Sequence, residues 1–246
     1  MSRILFGALG AVAMMATPAL AGSGYVGASY QRADIGGSDG DVWSLNGQAA
    51  LGENFQLGAG YASFEGDLDV WTIGGHLFSR GPQWLWGGYA GFTTFDSSGL
   101  SFDEWTIAGE TQFYMSRTTL TGVLSYTSSD YIGDLDQWAL DGELRHFVGD
   151  NFSLQGNVGF AHVSDVDVDG WTAGVGGEFQ FDGAPISLYG GYQHADYDGP
   201  ESDAFTIGAR WNFGGQSLFE RNRSGASLTR PAGFLDRALA TDAFGR

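Results

Sequence analysis

One short phrase recurs six times along this chain: Asp, any residue, Trp or Phe, then most often Thr-Ile or Ser-Leu. Its aromatic members are Trp43, Trp71, Trp105, Trp138, Trp171 and Phe205, spaced 28, 34, 33, 33 and 34 residues apart. A period so long and steady means one supersecondary unit repeated in space. Each unit runs from an acidic turn through an aromatic into an alternating apolar segment. A strand entering a membrane from an aqueous loop needs its residues in that order. The repeat therefore constrains architecture and orientation together.

Between the acidic clusters the chain alternates with a period of two. Trp171, Ala173, Val175, Gly177 and Phe179 share one face, while Thr172, Gly174, Gly176, Glu178 and Gln180 share the other. Twelve such segments are expected, the first near 24–33 and the last near 203–213. Tight turns such as Gly52-Glu53-Asn54 and Ser116-Arg117 alternate with the longer acidic clusters. That asymmetry and an even strand number predict an all-β, antiparallel up-and-down transmembrane barrel over 22–214. A propeller would repeat four strands per unit rather than two, and a sandwich would bury its aromatics. Here the repeat aromatics mark one end of the strands, and Phe55, Trp84, Phe113, Phe152, Phe181, Trp211 and Phe213 mark the other. Two aromatic belts are what two bilayer interfaces select for.

Residues 1–21 read as a cleaved secretory signal: Arg3, an apolar run over 4–15, then Ala19-Leu20-Ala21. No later run is apolar for long enough to be a transmembrane helix. The chain has no Cys, so no disulfide supports it. Net charge is −18, and an acidic surface repels phosphates, which argues against nucleic acid as a partner.

The last strand, Thr206-Ile207-Gly208-Ala209-Arg210-Trp211-Asn212-Phe213, resembles the assembly signal that closes Gram-negative outer-membrane barrels. The matching residues are Thr206, Gly208, Trp211 and Phe213. The resemblance implies a small porin-like protein of the outer membrane. Barrel-assembly machinery, outer-membrane lipid and lipopolysaccharide are then its partners, and small solutes its traffic. The pattern usually ends at its final aromatic, whereas 33 residues follow Phe213. That tail, 215–246, is compositionally separate and carries five Arg against three acids. A periplasmic segment without fixed structure is the first expectation for it. Contact with peptidoglycan and insertion into an acidic lumen are the alternatives.

If the aromatic face meets lipid, the opposite face lines the lumen. Counting from each repeat aromatic, the inward positions begin with hydroxyls such as Ser44 and Thr72, then small residues such as Gly74, Gly174 and Gly208. Asp141 shares the level of the small residues; farther along come Gln48, His76, Glu110, Glu143 and Arg210, and then Gln112, Arg145 and Glu178. Small inward residues suggest room for water, and twelve strands lie between a filled barrel and an open pore. The expected function is passive diffusion of small hydrophilic solutes. An excess of carboxylates over guanidiniums suggests cation preference. Were these charges instead paired supports that stiffen the wall, Arg145 and Glu178 would be the first pair to expect. The alternative is a structural or adhesive barrel whose acidic loops bind divalent cations.

Catalytic chemistry finds little support. Only His76 among four histidines has inward parity, no Ser–His pair is evident, and His194 with Asp196 is the best acid–base candidate. Asp165-Val166-Asp167-Val168-Asp169-Gly170 opens like a calcium loop but carries Gly176 where the twelfth-position Glu belongs. No enzyme activity, cofactor or specific metal site is expected.

Overall fold

The computed structural model describes residues 22–66, 68–130, 135–198, 201–238 and 240. The proposed signal segment lies outside them. Twelve strands follow in order: β1 (Ser23–Ile35), β2 (Ser38–Leu51), β3 (Phe55–Phe64), β4 (Leu68–Arg80), β5 (Trp84–Ser97) and β6 (Leu100–Met115). The second half comprises β7 (Thr118–Ser129), β8 (Leu135–Gly149), β9 (Phe152–Val163), β10 (Val168–Gln180), β11 (Ile186–Tyr197) and β12 (Ser202–Phe213). Each strand pairs antiparallel with its sequence neighbours, and β12 returns to β1 with Val26 opposite Trp211. The sheet thus closes without an edge, so every ladder hydrogen bond is made within the wall.

Period-two patterning decides the two faces. Trp43 is 64% exposed and Ile207 66%, on an outer surface that continues through Leu140, Val175 and Trp211. The opposite face holds Gln48, Gln56, His76, Glu110 and Glu178, all buried. An apolar exterior around a polar interior inverts the arrangement of a water-soluble domain. It is the pattern of a barrel solvated by lipid.

The acidic ends differ from expectation in one respect. The strands continue into the acidic clusters, leaving links as short as Gly36-Gly37 between β1 and β2. Asp39 and Asp96 therefore stand on strand extensions rather than in long loops.

Two helices follow the barrel, α1 (Leu218–Ser224) and α2 (Phe234–Ala238). Ser217 caps α1 by accepting from the Glu220 amide, while the Glu220 side chain accepts from the Ser217 amide. This reciprocal box starts the helix just after the barrel ends.

Candidate functional site

The repeat aromatics stand near the acidic ends of their strands. Trp43, Trp105, Trp138, Trp171 and Phe205 are exposed on the outer face; Trp71 is half-buried against Tyr61, with ring centres 4.3 Å apart. The Asp two residues earlier does more than mark the rim. Opposite the aromatic, across the ladder, stands Tyr30, Tyr61, Phe92, Tyr126, Phe160 or Tyr192. Where that residue is Tyr, its hydroxyl bonds the repeat Asp: Tyr30 to Asp41 and Tyr61 to Asp69, both at 2.8 Å, Tyr126 to Asp136, and Tyr192 to Asp203. Where it is Phe, the next outward residue replaces the phenol. Thr94 donates to Asp103 at 2.5 Å, and His162 Nδ1 lies 2.8 Å from Asp169. The repeat thus encodes a girdle of carboxylates that fix belt side chains.

Inside, the first level is a hydroxyl ladder. Ser29 and Ser44 lie 2.5 Å apart, Thr72 and Thr93 3.1 Å, and Thr106 and Thr127 2.9 Å. The small residues beyond do not all leave space. A Cβ added to Gly74 or Gly91 would strike Tyr89, one at Gly208 would strike Tyr189, and one at Gly174 would strike Gln193. Smallness at Gly74, Gly174 and Gly208 makes room for a neighbouring strand's side chain, and at Gly91 for one on its own strand, rather than for water.

The larger departure concerns the tail. Its described part does not stand apart from the barrel; it enters the lumen from the tight-turn end. Phe219 N–H donates to the Asp150 carbonyl at 2.9 Å, and its ring packs edge-on against Phe147. Arg223 Nη2 donates to the Met115 carbonyl at 2.7 Å, and Arg80 Nη2 to the Gly225 carbonyl at 3.0 Å. Leu228, 1% exposed, then fills an apolar pocket made by Phe78, Leu85 and Tyr114. The Gln56 side chain clasps the Leu228 backbone, donating to its carbonyl at 2.6 Å and accepting from its N–H at 3.3 Å.

The tail's charges meet the wall's. Glu178 accepts from Arg210 at 2.5 Å and from Arg221 at 3.2 Å, with all three buried. Arg145 pairs with Glu143 at 3.2 Å, so the expected Arg145–Glu178 bridge does not form. Arg237 Nη1 donates to Asp141 at 2.7 Å. Arg230 makes a two-pronged pair with Asp236 at 2.5 and 3.0 Å. Burial works against the charge on Arg230, but Asp236 outweighs it and holds the guanidinium above its usual range. The same balance, with Asp141 as partner, raises Arg237.

Glu104, 1% exposed, is a wall residue absent from the sequence-derived set. Its carboxylate lies against Gly233 at the start of α2, where an added Cβ would strike Oε2. The signal was present in the sequence: Glu104 has inward parity next to Trp105, where other repeats carry Val42, Val70 or Ala204. Two apolar clusters lie among the buried polar groups toward the acidic end of the lumen. Ala33, Ala139, Ala161, Ala195 and Ala204 surround Ala240. Phe95 and Phe102 stack at 4.5 Å, and Leu235 packs against their cluster.

His76 Nδ1 lies 3.0 Å from Glu110, and Gln112 receives the Ser227 hydroxyl at 3.1 Å. His194 pairs with Asp203 at 2.8 Å rather than with Asp196. Within the proposed closing signal, Thr206 donates to Gln31 at 3.2 Å, Gly208 seats the Tyr189 ring, and Trp211 and Phe213 take up outward positions opposite Val26 and Gly24.

No protein-family model matches the sequence, and no curated protein matches it. Solved structures do resemble it. The NanC porin aligns with a TM-score of 0.60 at 10% identity, covering 75% of this chain and 98% of NanC. An outer membrane channel from Pseudomonas putida F1 gives 0.60 at 12%, covering 78% and 96%. The KdgM porin, solved in complex with disordered oligogalacturonate, gives 0.56 at 10%, covering 76% and 99%. The chain has the fold of outer-membrane porin barrels.

Proposed function

We propose that this chain is exported and acts as an outer-membrane porin-like channel for small hydrophilic solutes, narrowed by its own C-terminal segment. The observation that carries the reading is a polar, charge-bearing lumen enclosed by a closed barrel with an apolar exterior. The wall residues Gln48, His76, Glu110, Gln112, Asp141, Glu143, Arg145, Glu178 and Arg210 would form the lining. Nothing in the chemistry of this lining requires catalysis. Lipid and lipopolysaccharide would surround the belts, and barrel-assembly machinery would read the strand that ends at Phe213.

Cation preference is assigned to the wall rather than to the whole molecule. Glu104, Glu110, Asp141, Glu143 and Glu178 outnumber the wall's Arg80, Arg145 and Arg210. Arg221, Arg230 and Arg237 bring compensating charge, and Asp236 removes part of it. An intact chain should therefore conduct weakly with little ionic preference.

The test is planar-bilayer recording of the full chain beside a version ending at Gly214. The expected result is a small conductance that rises on truncation, with reversal potentials moving toward cations. A second reading, a structural barrel with no open path, draws on the apolar clusters around Leu235 and Ala240. Silence from both versions would favour it and sink the channel.

A further inference from the structure

The tail does not divide the lumen evenly. On the β8–β10 side it leaves a small cavity among charged groups, including Asp141, Glu143 and Arg237. On the β2–β4 side it leaves a chamber where water centres have about 100 Å³ to occupy, enough for several molecules at about 10–15 Å³ each. Gly58 and Gly60 form part of that wall. Cβ atoms added there would meet nothing closer than 3.7 and 3.8 Å. These two glycines, unlike Gly74 and Gly208, do leave room.

The chamber's chemistry is consistent. Its hydrogen-bonding groups are uncharged: Gln31, Ser44, Asn46, Gln48 and Thr72. The ionisable groups at its wall are internally matched, with Arg230 held by Asp236 and His76 turned toward Glu110. Amide and hydroxyl groups keep capacity beyond the bonds that orient them. Gln48, for example, accepts one bond from Gln56 at 3.0 Å out of the four an amide can make. Tyr89 adds an aromatic surface beside His76, with ring centres 4.8 Å apart. A charged solute entering here would lose water without gaining an opposite charge. A neutral solute rich in hydroxyls would exchange water for amides and hydroxyls, with its C–H face against Tyr89.

We propose that the chamber between β2–β4 and the tail is a binding subsite for small uncharged polyhydroxylated solutes, with the tail's Arg230–Asp236 pair forming its far wall. This rests on the channel reading and names the solute class that the intact chain would favour. It also assigns the tail a second role, since without residues 230–236 the chamber has no far wall.

Binding and passage can be measured separately. Saturation-transfer NMR on the full chain in detergent, with xylitol as probe, reports binding whether or not the barrel conducts. Transfer to xylitol is expected, with gluconate and glucosamine giving much less. Gly60→Leu should abolish it by filling the chamber. Gln48→Leu should weaken it up to about tenfold, the scale of one lost hydrogen bond. Val123→Leu, on the opposite wall, should leave it unchanged. Heat-resistant electrophoretic mobility identifies variants that retain the barrel. No transfer, equal transfer from the charged probes, or transfer unaffected by both chamber variants would each overturn the proposal. Liposome swelling with the same solutes then tests the channel itself, so binding without flux would reject the channel and keep the subsite.

Discussion

Arg237 of the tail donates to Asp141 of β8 at 2.7 Å, joining residues 96 positions apart across the lumen. The guanidinium is buried, so this bond anchors the far end of the tail. Arg237→Glu would set two carboxylates against each other. Breaking such a pair costs about 3 kcal/mol or more, enough to release the end of the tail while the strand ladder stays closed. Faster hydrogen exchange over 230–240 and a reversal potential shifted toward cations are the expected readouts. Unchanged exchange would show that the ion pair is incidental.

Leu228 offers a second, uncharged test of the same docking. Its side chain is enclosed by Phe78, Leu85 and Tyr114. Leu228→Ala should weaken tail docking by about 2–5 kcal/mol, because those side chains belong to rigid strands and cannot close the gap. Limited proteolysis should then cut the tail while the barrel fragment survives. A tail as resistant as the original would place its main hold elsewhere, on the Arg221–Glu178 contact or the α1 end.

The wall was legible from the sequence because strand parity is a local property. Gln48, His76 and Glu110 could be placed inward simply by counting from Trp43, Trp71 and Trp105. The tail's position was not legible, because it depends on pairs such as Arg237–Asp141 that no period links. One local sign of order did exist: Ser217 and Glu220 are spaced as a helix-capping box. The small inward residues misled for a different reason. Whether a glycine leaves a void depends on the strand beside it, and Gly74 has Tyr89 where Gly60 has open space. The repeat Asp marked an end of the barrel correctly. Its bond to Tyr61 or Thr94 required the register, which the sequence alone does not supply.

The Asp girdle should contribute modestly at each position. Tyr61→Phe keeps the ring against Trp71 and removes only the 2.8 Å bond to Asp69. A loss of about 0.5–1.5 kcal/mol in unfolding free energy is expected, with Trp71 emission little changed. The native Phe92 and Phe160 show that a bare ring is tolerated where Thr94 or His162 serves the Asp. Ser63, opposite Asp69, already carries a hydroxyl at the corresponding place, so adding Ser63→Ala to Tyr61→Phe should deepen the loss. No loss in Tyr61→Phe would mean that the carboxylate is as well served by water.

Gly208 and Gly60 both point inward, yet they should respond oppositely to one added methyl group. At Gly208 the new Cβ would overlap the Tyr189 ring. That ring lies between wall and lumen with Arg210 over its face, 4.1 Å from the centroid, so it has little freedom to retreat. Gly208→Ala should cost about 1–3 kcal/mol through overpacking. At Gly60 the methyl would meet only the Leu45 carbonyl at 3.8 Å. There the change should be neutral or stabilising by about 0.5–1 kcal/mol, since Ala is less flexible than Gly in the unfolded chain. Urea unfolding in lipid vesicles would rank the two. Equal costs would mean that the aromatic-over-glycine contact does not set the packing. A cost at Gly60 alone would mean that the chamber beside β3 is closed in solution.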